Sequence, residues 1–88
     1  MKHTKDDTLR VIFEPYVLNI LRSLIKESKR FNELRKEVKT KRTLSLKLSK
    51  LLDYGLIELV PLKTKGRYAN YYKISDNGKK ILEGLKRI

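Results

Sequence analysis

The sequence predicts a mainly α-helical domain with one small β-hairpin, an α+β fold in the order α-α-α-α-β-β-α. Three observations predict it. Apolar residues recur at steps of three and four from Leu9 to Leu52, the period of an α-helix. After Gly55 the pattern changes to two short runs of β-favouring residues, separated by a basic segment that holds a glycine. A helical stripe then returns in Ile81, Leu82, Leu85 and Ile88. The 88 residues are expected to form one domain, 1–88, with the polar residues 1–7 fraying.

Each element has a local reason. Leu9, Ile12 and Phe13 start the first helix, and Tyr16, Val17, Ile20, Leu21, Leu24 and Ile25 continue the period in a second. Pro15 interrupts them. It disfavours helical geometry at Glu14 and suits a first helical turn, so the second helix is expected over residues 15–27. Phe31, Leu34 and Val38 share one face of a short third helix of about two turns. Leu44, Leu48, Leu51 and Leu52 line a fourth, expected over Lys41–Asp53, with Thr40 as its N-cap and Gly55 just past its end. Leu56-Ile57-Glu58-Leu59-Val60 is a strand expected to stop at Pro61, and Tyr71-Tyr72-Lys73-Ile74 is its partner. Residues 62–70 are then a long basic loop between them. Ser75 or Asp76 can cap the last helix. Gly66 and Gly78 are read as turn formers.

Composition narrows the chemistry. The chain carries 22 Lys and Arg against 10 Asp and Glu, a formal net charge of +12. Such an excess calls for a polyanionic partner. With no cysteine and a single histidine, His3, neither a thiol nucleophile nor a multi-ligand metal site is expected, and no cofactor. Glu14, Glu27, Glu33 and Glu37 read as helix-surface charges, so an enzyme is not expected. Abundant Lys with neither Trp nor Gln fits a heat-adapted source. Residues 1–10 hold no apolar run of the signal-peptide kind, and nothing approaches the length of a bilayer span, so a cytoplasmic location is expected.

The charge is unevenly placed. Residues 1–40 hold 10 cations and 6 anions, net +4, whereas residues 41–88 hold 12 and 4, net +8. One acid-free stretch contains Lys39, Lys41, Arg42, Lys47 and Lys50; another contains Lys63, Lys65, Arg67 and Lys73. On a helical wheel the leucines of the fourth helix fall on one side. Arg42, Leu46, Ser49 and Lys50 fall opposite, with Thr43 and Lys47 on the flank. A cationic, hydroxyl-bearing helix side can enter the major groove: Arg42 and Lys50 can donate to guanine or phosphate, Thr43 and Ser49 to base or phosphate, and Leu46 can touch a thymine methyl. Tyr68, Tyr71 and Tyr72 read as hairpin and core-edge residues rather than base stackers, Tyr72 pointing inward.

Four motifs, in order, carry a resemblance. Residues 9–21, a short helix followed by Glu14-Pro15 and Ile20-Leu21, look like the opening of ArsR-type repressors. Arg30-Phe31-Asn32-Glu33-Leu34 resembles the start of the helix–turn–helix in HxlR-type regulators. Leu48, Leu51 and Gly55-Leu56-Ile57 resemble the end of the recognition helix in ArsR, MarR and HxlR relatives, and Tyr72-Lys73-Ile74-Ser75-Asp76-Asn77-Gly78 resembles their exit from the wing. The resemblance, to the winged helix–turn–helix superfamily, implies that Thr40, Lys41, Arg42, Thr43, Leu46, Lys47, Ser49 and Lys50 form the recognition helix and its cap. It implies a wing tip at Lys63, Lys65, Gly66 and Arg67, reaching flanking backbone or minor groove. It implies a homodimer built by the first and last helices. Leu9, Ile12, Phe13, Ile81, Leu82, Leu85 and Ile88 are the apolar residues expected there, a surplus beyond what so small a core needs. Three departures stand out. The Cys and His clusters of ArsR metal sensors and the reactive cysteine of HxlR members are both missing, and Lys39 stands where relatives often have an apolar residue.

These readings lead to a sequence-specific regulator of double-stranded DNA, expected to be a repressor. An architectural protein that coats DNA without sequence preference is the alternative, since the same charge would serve it. A protein-interaction winged helix is a third.

Overall fold

The computed structural model describes residues 5–86. Its elements are α1 (Lys5–Ile12), α2 (Val17–Lys26), α3 (Phe31–Leu34), α4 (Lys41–Asp53), β1 (Ile57–Thr64), β2 (Arg67–Ile74) and α5 (Asp76–Lys86). The order matches the sequence reading. Of the stretch expected to fray, residues 1–4 lie outside the described residues, while Lys5, Asp6 and Asp7 belong to α1.

The helices bury their predicted stripes in one core. Val11 and Ile12 enter it from α1, Val17, Ile20, Leu21 and Leu24 from α2, and Leu44, Leu48 and Leu51 from α4. Leu34, Val38, Leu56, Ile57, Ile74 and Leu82 complete it. A buried side chain of this kind contributes roughly 1.5–3 kcal/mol, so the leucine stripe of α4 is a principal anchor of that helix.

Two helix boundaries differ from expectation. Pro15 lies in the turn before α2, not in its first helical turn. The chain reverses through Tyr16, whose φ of 71° is left-handed and cannot extend a right-handed helix. The third helix is a single turn: beyond Leu34, three-residue bonds (Glu37 N–H to Leu34 O, Val38 N–H to Arg35 O) replace the α pattern. Val38 still reaches the core. At the start of α3, Glu33 Oε1 accepts from the Arg30 amide at 3.0 Å, one half of a capping box.

The hairpin is longer and tighter than expected. Both strands are 8 residues long, and the register runs from Ile57↔Ile74 to Thr64↔Arg67. Lys65 (φ 53°) and Gly66 (φ 82°) alone make the turn; two positive φ values define the I′ type that matches strand twist. The expected loop over residues 62–70 is thus mostly strand, and Pro61 does not end β1. Tyr72 exchanges both backbone bonds with Lys29, at 2.7 and 3.0 Å. It therefore has none left for Leu59, and Leu59↔Tyr72 is a non-hydrogen-bonded pair. Such pairs alternate along an antiparallel ladder, so Pro61↔Asn70 is another, and the missing proline N–H breaks no bond.

Two junctions set the direction of the hairpin. At the end of α4, the Leu56 amide bonds to Leu51 O (3.0 Å) and the Gly55 amide to Leu52 O (3.1 Å), a Schellman motif with Gly55 at φ 70°. At the start of α5, Ser75 is the cap: its Oγ accepts from the Gly78 amide at 3.1 Å and donates to Gly55 O at 2.7 Å, while its own amide donates to Leu56 O. Gly78 is not a turn former. It sits inside α5, where a Cβ would overlap the Leu56 carbonyl oxygen and come within 2.8 Å of Ile74 Cγ1. Gly84, on the same helix, has nothing within 4 Å of its Cβ position.

The two glycines predict opposite outcomes for one substitution. Gly78→Ala must displace backbone and should cost about 2–4 kcal/mol. Gly84→Ala should gain up to about 1 kcal/mol from helix propensity. Urea unfolding of the two variants against the parent chain checks the sign of each.

Candidate nucleic-acid interface

Helix α4 presents three sides. Leu44, Leu48 and Leu51 are buried. Arg42, Ser45, Leu46 and Ser49 are exposed on the opposite side, and Leu46 is 62% exposed. Between the two runs a flank, Thr43, Lys47, Lys50 and Tyr54, spaced at four, three and four residues. Thr40 caps the helix as expected: its Oγ1 accepts from the Thr43 amide at 3.1 Å and donates to Thr43 Oγ1 at 2.9 Å. Lys41 is exposed in the first turn.

The flank is held by a residue that sequence reasoning assigned to the helix surface. Glu14, in the α1–α2 turn, bridges both lysines of α4: Oε1 accepts from Lys47 Nζ at 2.8 Å and Oε2 from Lys50 Nζ at 2.6 Å. Lys50 keeps 45% of its side chain exposed, whereas Lys47 and Glu14 are mostly covered. The hydrogen bond from Lys47, then that from Lys50, hold the Glu14 carboxyl below the usual carboxylate range against a smaller opposing effect of burial. The Glu14 bond in turn raises the Lys50 ammonium. The predicted lysine stripe is therefore divided. Arg42 stays on the outward side, while Lys47 and Lys50 share one carboxylate to leave a net +1.

The hairpin offers a second cationic surface. Lys63, Lys65, Gly66 and Arg67 are all exposed, with Lys63 on β1, Arg67 opening β2 and the other two in the turn. Tyr68 is 73% exposed, not a core-edge residue; Lys63, its cross-strand partner, places Nζ 5.9 Å from the ring centroid. Tyr71 and Tyr72 are half-buried, and Tyr72 packs on the core as expected. Arg35, Lys36 and Lys39 add exposed cations to the turn that leads into α4. Of these, Arg35 and Lys36 escaped sequence reasoning because an acid, Glu37, follows them.

The apolar surface also differs. Ile12 and Leu82, expected to face a partner, are 0% and 4% exposed and belong to the core, because α1 ends against α2 and α5 turns Leu82 inward. Leu9, Ile81 and Leu85 are half-buried, Phe13 is 65% exposed, and Ile88 lies outside the described residues. Phe13, Leu18, Ile25 and Leu85 line an open groove of about 610 Å³ between α2 and α5, with Arg22 and Lys26 at its edge. Among the described residues no group of three or more His, Cys, Asp or Glu could hold a metal, and no helix is long and apolar enough to cross a membrane.

A capped helix–turn–helix followed by a two-stranded wing is the architecture of winged helix–turn–helix transcriptional regulators, whose function is to bind DNA. Residues 11–88 match the sequence profile of the HxlR-like helix–turn–helix family, and the chain belongs to that family. Solved structures agree on the fold. Diamide-treated YodB from B. subtilis superposes with a TM-score of 0.83 at 16% identity, over 99% of this chain and 87% of that one. A MarR-family regulator from Enterococcus faecalis V583 gives 0.78 at 19%, over 99% and 84%. The redox regulator HypR in its reduced form gives 0.76 at 24%, over 93% and 82%. No curated protein matches the chain in sequence.

The Glu14 bridge has a pH signature. Its folded-state pKa is depressed, so the bridge stabilises the fold above the ordinary glutamate pKa and that contribution disappears as pH falls through the lower, folded value. In a carbon-detected NMR titration the Glu14 carboxyl should have its midpoint below that of glutamate in an unstructured peptide. A midpoint at or above the peptide value means that the bridge does not form in solution.

Proposed function

We infer that this protein is a homodimeric, sequence-specific regulator of double-stranded DNA, acting in the cytoplasm as a repressor. One observation carries the reading. Arg42, Ser45, Leu46 and Ser49 are exposed together on a helix whose opposite side is core, and a hairpin with exposed cations at its tip follows directly. Arg42 suits the paired acceptors of guanine, the serines suit base edges or phosphates, and Leu46 suits a thymine methyl. An apolar residue with such exposure favours groove contact over simple phosphate coating. Lys63, Lys65 and Arg67 supply backbone or minor-groove contacts beside the helix, and Arg35, Lys36 and Lys39 add phosphate contacts before it.

The dimer reading rests on the apolar groove and on exposed Phe13 and Ile25. A second copy would cover them. Two-fold symmetry would then set two α4 helices about one turn of DNA apart on a near-palindrome. Repression would follow by occlusion of the promoter.

Binding-site selection from random duplexes at two salt concentrations tests the reading: a regulator enriches a near-palindrome, and an architectural protein enriches none. On the selected site Arg42→Ala should cost about 1–3 kcal/mol, and less on random duplex. Lys65→Ala and Arg67→Ala should weaken both alike and flatten the salt dependence. Equal losses for Arg42→Ala on the two duplexes would reduce it to a phosphate contact. Light scattering at micromolar concentration should give twice the 10.4 kDa chain mass, and Phe13→Lys should return it to one chain.

A further inference from the structure

We propose that Glu14 is a positioning residue that withholds Lys47 and Lys50 from duplex phosphate, so that α4 meets DNA through Arg42 and its polar outward side instead of a continuous lysine face. The inference rests on the duplex-binding role above. One carboxylate uses both oxygens, one for each ammonium, and the two lysines stand three residues apart on one flank of α4. DNA phosphate is an anion that would compete for those same ammonium groups.

The carboxylate is rigidly placed. The Glu14 amide donates to Val11 O at 3.1 Å and its carbonyl accepts from the Val17 amide at 3.3 Å, so its backbone is tied on both sides. Pro15 and left-handed Tyr16 then fix the turn that aims it at α4. The partners lie 33 and 36 residues away in sequence, so only the tertiary fold brings them together.

The consequence follows from counterion release. Each phosphate neutralised adds about 0.9 to the salt slope of duplex binding, whatever the base sequence. Phosphate contacts raise affinity for every site, and base contacts raise it for one. Two lysines bridged by one carboxylate contribute at most a single net charge, so the bridge lowers the sequence-independent part of duplex affinity and its salt slope.

The test is the salt dependence of full-chain binding to a labelled random-sequence duplex, read by fluorescence anisotropy. Glu14→Gln should steepen the log–log slope by about 1 and tighten binding to random duplex about tenfold at low salt. Glu83→Gln makes the same charge change on the exposed side of α5 and should leave the slope at the parent value. In a Lys47→Met/Lys50→Met background, Glu14→Gln should have no effect on the slope. An unchanged slope in Glu14→Gln, weaker binding by that variant, or an equal gain from Glu83→Gln each overturns the proposal. A measurement on the unaltered chain guards against misfolding of the variants. In lysine acetylation footprinting, added duplex should protect Lys63 and Lys65 and leave Lys50 as reactive as before; protection of Lys50 equal to theirs also overturns it. If the parent chain retains no duplex at low salt, the duplex-binding role itself fails. If it binds and the slope ignores Glu14, only this inference does.

Discussion

The carbonyl oxygens of Gly55 and Leu56 are where α4, the hairpin and α5 meet. Leu56 O accepts the Ser75 amide, Gly55 O accepts the Ser75 hydroxyl, and the Gly78 backbone closes against the Leu56 carbonyl. Each hydrogen bond is worth only about 1 kcal/mol. Their geometric effect is larger, because they bring both ends of the hairpin to one point at the end of α4. Ile57↔Ile74, the first pair of the hairpin, is buried directly beside this junction, while the outer pairs project into solvent. The wing therefore leaves the core at an angle determined by a Schellman turn on one side and a serine cap on the other.

That junction explains how the hairpin can be long and still have a fixed direction. An isolated two-stranded ribbon is marginal in water. Here its base is core, and Tyr72 adds a backbone bridge to Lys29 beyond the end of α2. Pro61 is compatible with this arrangement because its ring faces the outer, unbonded edge of β1. A proline in that edge also discourages further strand pairing.

Charge is arranged with the same economy. A surface this rich in lysine would bind any polyanion, and the fold moderates it with an acid from a distant turn. The outward side of α4 is left with an arginine, hydroxyls and a leucine. Arginine suits a planar pair of acceptors, whereas lysine acts as a point charge that any phosphate satisfies. The family's fold is kept in a sequence that holds no cysteine.

Much was legible from local chemistry. The helical period, the Thr40 cap, the Gly55 turn and the change to β character each depend on neighbours a few residues away, and each stands where the sequence places it; of the two caps the sequence offers for the last helix, Ser75 is the one used. What the sequence could not show depends on contacts across the chain. Glu14 looks like any surface acid until the α1–α2 turn meets α4. Gly78 looks like a turn residue until the Leu56 carbonyl is packed against it. Ile12 and Leu82 look spare until the burial of their helices is known. Pro61 looks like a strand end until the ladder parity is set by Lys29 and Tyr72. Periodicity and caps are short-range properties encoded in spacing and side-chain type. Which groups become partners across thirty residues is decided only when the core closes and fixes the distances between elements.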